Sequence, residues 1–183
     1  MNPLKTILVV IIIMSSLTAK NIYFTRLGNI SFYSSALLED IEAINKQVTC
    51  VLNMDTKEIA FRVPIHGFIF KNGLMQDHFN ENYLESEKFP TATFKGKILG
   101  LDSLKLSEKP QEVILSGDLT IHGISQEIRE LGEISMKDGN IFGIANFNIK
   151  VADYEIEIPK IVREKIAKIV EISVKLNLKK KLK

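Results

Sequence analysis

LMQDHFNENYLESEKFPTATFKG, residues Leu74–Gly96, changes its hydrophobic period in mid-course. Leu74, Met75, His78 and Phe79 recur at helical spacing and form one apolar stripe. Asn72 is placed to cap a helix over Asn72–Leu84. Pro90 stops the loop that follows. From Ala92 the period drops to two: Ala92, Phe94 and Ile98 stand opposite Lys95 and Lys97. The stretch therefore reads as a short helix, a loop and the start of a β-strand.

Outward from it, period-two patterns dominate. Val170, Ile172, Val174, Leu176 and Leu178 share a face opposite Glu171, Ser173, Lys175 and Asn177, which describes a strand with one apolar and one wet side. Ile59, Phe61, Val63 and Ile65 stand opposite Arg62. Val113, Leu115, Leu119 and Ile121 stand opposite Ser116, Asp118 and Thr120. Ile141, Ala145, Phe147, Ile149 and Val151 stand opposite Asn146, Asn148 and Lys150. Further strands are read near Ile22–Arg26, Asn29–Ser34, Gln47–Met54 and Ile124–Met136. Asp55-Thr56-Lys57, His122-Gly123 and Lys137-Asp138-Gly139-Asn140 are short, turn-forming links, so neighbouring strands pair antiparallel.

Two further helical pieces are expected. Leu37, Leu38, Ile41 and Ile44 recur at helical spacing in Ser35–Lys46, and Glu157–Ile166 reads as a short turn before the last strand. The fold class is all-β with short helices. Eight or nine strands close into a barrel or pack as an open sandwich, and alternation does not separate the two.

Three motifs favour closure. The Leu74–Gly96 stretch, Gly117–Ser125 (GDLTIHGIS) and Phe147-Asn148-Ile149-Lys150 resemble, in order and spacing, the signature of the YceI-like family of secreted bacterial proteins. The resemblance runs from about Tyr23 to Leu178. It implies an antiparallel eight-stranded, lipocalin-like β-barrel that encloses a long apolar ligand, typically an isoprenoid lipid.

The chain has 183 residues and a formal net charge of +2, enough for one domain with a core and too balanced for a nucleic-acid partner. Its basic cluster, Lys179, Lys180, Lys181 and Lys183, reads as a solvated tail. Lys5, the apolar run Ile7–Met14 and the small residues up to Ala19 read as an export signal, the run being too short to span a membrane. The expected organisation is a signal peptide over residues 1–19 and a barrel domain over 20–183, placing the mature chain in the periplasm or outside the cell. Cys50 has no second cysteine to pair with, and alternation puts it beside Val48 and Leu52 as a small buried hydrophobe.

Catalytic chemistry is not expected. Ser116, Asp118 and His122 lie close in sequence but alternate with apolar residues, so they should face solvent. His66, His78 and His122 lack metal-ligand spacing. Glu81, Glu85 and Glu87 read as an exposed helix end, with Tyr83, Phe89 and Pro90 pinning the loop to the rim. No cofactor is implied. The pattern forces no charge onto an inward face.

What remains is apolar lining. A ligand along the barrel axis would meet Phe61, Val63, Phe94, Leu119, Ile121, Phe147 and Ile149, positions set by alternation. The helix with Leu74, Met75 and Phe79 would cover part of the opening. An isoprenoid or other long-chain lipid is the expected partner; a homodimer stays open. The same pattern would also describe a solid core or, less readily, an enzyme acting on a hydrophobic compound.

Overall fold

A computed structural model describes residues 21–35, 40–158 and 168–181. The expected signal peptide, and all but the first two residues of the turn expected over Glu157–Ile166, lie outside them. Nine strand segments run in chain order: β1 (Ile22–Ser34), β2 (Ile41–Asn53), β3 (Glu58–Pro64), β4 (Phe68–Phe70), β5 (Thr91–Leu99), β6 (Gln111–Ile121), β7 (Ile124–Lys137), β8 (Asn140–Lys150) and β9 (Ile169–Lys180). Among the described residues, one α-helix, α1 (Gly73–His78), follows β4 and continues into a π-turn over Phe79–Tyr83.

All pairings are antiparallel, and β1 bonds to both β9 and β2, which closes the sheet. Nine segments fill eight positions. β3 pairs with Thr49–Leu52 of β2, and β4 pairs with Ala43–Asn45 of the same strand. A 3₁₀ turn, Ile65–Gly67, breaks what would be one strand. Asn45, fully buried, mends the break: its Nδ2 donates to Pro64 O at 2.7 Å and its Oδ1 accepts from Gln47 N at 2.8 Å. Buried backbone groups must find partners, and here a side chain supplies them.

The two N-terminal strands read from the sequence are one strand, β1, with register shifts either side of Gly28. That bulge turns Leu27 out to 83% exposure. The helix expected over Ser35–Lys46 is corrected: from Ile41 onward the chain is β2, paired along Ile30–Ser34 of β1. The inward positions there are Ile41, Ala43 and Asn45, and a small and a polar residue hide the period-two signal. Pairing on both sides outweighs local helical spacing. His122-Gly123 and Asp138-Gly139 form two-residue hairpin loops with both φ positive, as type I′ turns require.

The barrel interior has two unlike halves. Around Tyr23, Leu52, Ile59, Val113, Ile141 and Leu178, all under 8% exposed, it is a packed core. The other half, toward Ser34, Ile41 and α1, is hollow.

Candidate functional site: an apolar cavity in the barrel

The hollow is a cavity of about 440 Å³, within the range of small-molecule sites. Phe61, Val63, Phe94, Leu119, Ile121, Phe147 and Ile149 line it. Phe61 and Phe94 are direct cross-strand partners, their rings edge-on at 5.9 Å, and Phe94 also belongs to the packed core beneath. They thus mark the change from solid to hollow.

Helix α1 presents Met75 to the cavity, and the π-turn that continues it presents Phe79 one turn on. Asn72 caps it as the sequence suggests, its side chain accepting from Leu74 N at 2.9 Å. Leu74 itself is 62% exposed and does not line the cavity. A residue adjacent to Met75 points about 100° away around the helix.

Phe79 completes a ring cluster that sequence reasoning did not find. Its centroid lies 5.5 Å from Phe32, 5.4 Å from Phe68 and 5.0 Å from Phe70. Phe68 and Phe70 sit on the three-residue β4, too short for an alternation signal, although both were adjacent to a readable strand. The cluster walls one side of the cavity with large, rigid apolar surface.

One ionisable side chain breaks the apolar lining along the strands. Glu130 of β7 faces inward between Ile128 and Gly132, against the expectation of an uncharged interior. Burial raises its carboxyl above the usual glutamate range. Among the described residues, no hydrogen bond or ion pair engages that carboxylate, and no lysine or arginine lines the cavity. Glu130 sits at a fork. β7 and β8 pair from Lys137↔Asn140 up to Gly132↔Ala145 and then separate. The 3₁₀ turn Val151–Tyr154 fills the fork, with Gln126 Nε2 donating to Asp153 O at 2.7 Å. Tyr154 is buried there; burial, then the negative charges of Asp153 and Glu130, push its hydroxyl up to about 12.

His122 is also corrected. It was expected to face solvent, yet its side chain is 12% exposed. Nε2 lies 2.8 Å from Glu85 Oε2, Nδ1 lies 3.3 Å from Tyr154 O, and the ring packs edge-on against Phe89 at 4.6 Å. It clips three rim segments together. His66 lies 3.5 Å from Ser86 Oγ through Nδ1, whereas His78, exposed, borders the cavity mouth. No group of three or more potential metal ligands occurs among the described residues. Cys50 is fully buried, and burial raises its thiol well above the usual range. No helix among the described residues is long and apolar enough to cross a membrane.

The family model for a YceI-like domain matches residues 25–178. Among solved structures, a polyisoprenoid binding domain from Saccharophagus degradans, implicated in plant cell wall breakdown, superposes with a TM-score of 0.77 at 14% identity, covering 88% of this chain and 99% of that one. BcnA of Burkholderia cenocepacia gives a TM-score of 0.70 at 14% identity, covering 82% and 95%. A Campylobacter jejuni YceI protein gives 0.56 at 20% identity, covering 78% and 88%. No curated protein sequence matches.

Proposed function

The chain belongs to the YceI-like family, and on that premise we propose that it is an exported carrier that holds an isoprenoid or similar long apolar lipid inside its barrel. The observation that carries this reading is the cavity of about 440 Å³, lined by aliphatic and phenyl side chains and bordered by a helix. Each 100 Å² of lipid chain removed from water is worth about 2.5 kcal/mol before the costs of association. The polyisoprenoid binding domain with the same fold supports the ligand class. The Lys5 to Ala19 pattern supports the periplasm as its location.

Binding without catalysis is the reading the side chains favour. His122 is committed to Glu85 and Tyr154 O, and the Cys50 thiol is buried and protonated. The ligand would contact Phe61, Val63, Met75, Phe79, Phe94, Leu119, Ile121, Phe147 and Ile149; Leu74 would stay outside.

Protein purified from its native envelope without detergent, extracted with organic solvent and analysed by mass spectrometry, tests the proposal. One apolar lipid near one per chain is expected. Folded protein that yields no lipid and takes up none when offered would overturn it.

A further inference from the structure

The cavity is not chemically uniform: among the described residues that line it, one carries a carboxylate. Glu130 lines the cavity on β7, opposite Leu115 of β6. It stands two residues above the last β7–β8 rung, Gly132↔Ala145. Continued pairing would have set it beside Phe147, but the strands have parted there. The carboxylate therefore has cavity on one side and the fork on the other, with the buried Tyr154 close enough to feel its charge.

Among the described residues, the cavity lining offers it no positive partner. A polar groove adjoins the cavity and shares Tyr83 with it. Its charged residues are Glu85, Glu155 and Glu157 against Lys88. A phosphorylated head group would meet carboxylates in both places, and like charges in a partly desolvated site repel strongly. A head group that donates a hydrogen bond would find a carboxyl oxygen placed to accept it.

Resting on the carrier reading, we infer that Glu130 is a specificity residue: it selects long apolar ligands that end in a neutral hydrogen-bond donor, a hydroxyl above all, over phosphate esters of the same chain. An apolar tail supplies the affinity and Glu130 the choice of head. This is the division of labour expected where buried polar groups are few and well placed.

Three probes of one chain length separate the terms: a diterpene alcohol, the hydrocarbon lacking its hydroxyl, and its phosphate monoester. Binding of each to the full protein, to Glu130→Gln and to Glu130→Leu is measured by tryptophan-free methods such as calorimetry or native mass spectrometry. The native protein should prefer the alcohol to the hydrocarbon by about tenfold and reject the phosphate. Glu130→Leu should erase the preference for alcohol over hydrocarbon while binding the hydrocarbon at least as well. Glu130→Gln should keep part of that preference and relax the rejection of phosphate. Binding of alcohol and hydrocarbon in a ratio unmoved by Glu130→Leu, or a native preference for phosphate, would overturn this inference alone. Binding of none of the three by folded protein would overturn the carrier reading and this inference with it.

Discussion

Gly96 on β5 lies directly opposite Gly117 on β6, and a Cβ built on Gly117 would stand 2.4 Å from the Gly96 Cα. A Cβ on Gly96 would meet Ser116 O at 2.3 Å and Phe94 Cζ at 2.8 Å. The facing glycines bring two strand backbones together and let the Phe94 ring lie over them. Phe94 in turn separates the packed core from the cavity.

Gly117→Ala should therefore destabilise the protein by about 1–3 kcal/mol or more, because the atoms it strikes are backbone and cannot turn aside. Gly73→Ala is the counterpart. Nothing lies within 4 Å of a Cβ there, and Gly73 opens α1. It should stabilise by about 0.4–1 kcal/mol. Urea unfolding of both variants checks the contrast; equal effects would deny the glycine pair its role.

His122→Ala should lower stability by about 1–2 kcal/mol, since it frees the loop around Glu85 and Phe89 from the β6–β7 turn and from Tyr154. Ligand affinity should change only a few-fold, because His122 does not line the cavity. Thermal melting and lipid titration of one preparation measure both. Intact stability with lost binding would reverse the assignment.

Cys50 should be inert to thiol reagents in the folded protein. Burial both blocks access and raises its thiol. Labelling should follow the unfolding curve in urea. Cys50→Ser should cost roughly 1–3 kcal/mol for a hydroxyl in an apolar site. Rapid labelling under native conditions would contradict the packing described.

Asp55 ties the start of β1 to the β2–β3 hairpin, accepting from Asn21 N and Nδ2 at 3.0 Å each. The bond to the Asn21 backbone, first, holds its carboxyl below the usual 3.8. A depressed folded value means that its stabilisation is present above about 3.8 and is lost as pH falls through the lower folded value. The melting temperature of Asp55→Ala should lie below that of the native protein at neutral pH, and the gap should close in acid. A gap independent of pH would show that the carboxylate charge plays no part.

Much of the barrel is legible along the chain because its strands are long and one-sided. Val170, Ile172, Val174, Leu176 and Leu178 alternate without interruption, and two Gly-containing turns mark hairpins that do form. Legibility fails where the buried residue is not apolar. Asn45 is fully buried because it completes a broken ladder, and this dependence on Pro64 and Gln47 is invisible locally. Glu130 shares the parity of Ile128 and Ile134, so its inward direction was readable. Its charge conceals that direction, and the apolar Leu131 beside it, which faces out, blurs the alternation. His122 is buried by partners 37 and 32 residues away, which no strand pattern contains.

The cavity's role is tested most directly by filling it. Ala145 faces inward at the last β7–β8 rung, 7% exposed, and lines the cavity; its neighbour Asn146 faces out. Binding of an isoprenoid alcohol to the native protein, Ala145→Phe and Asn146→Phe is titrated by calorimetry, with folding checked by circular dichroism. Saturable one-to-one binding by the native protein and Asn146→Phe, weakened at least tenfold in folded Ala145→Phe, is the predicted result. Equal affinity in all three would place the lipid somewhere other than inside the barrel and contradict the account.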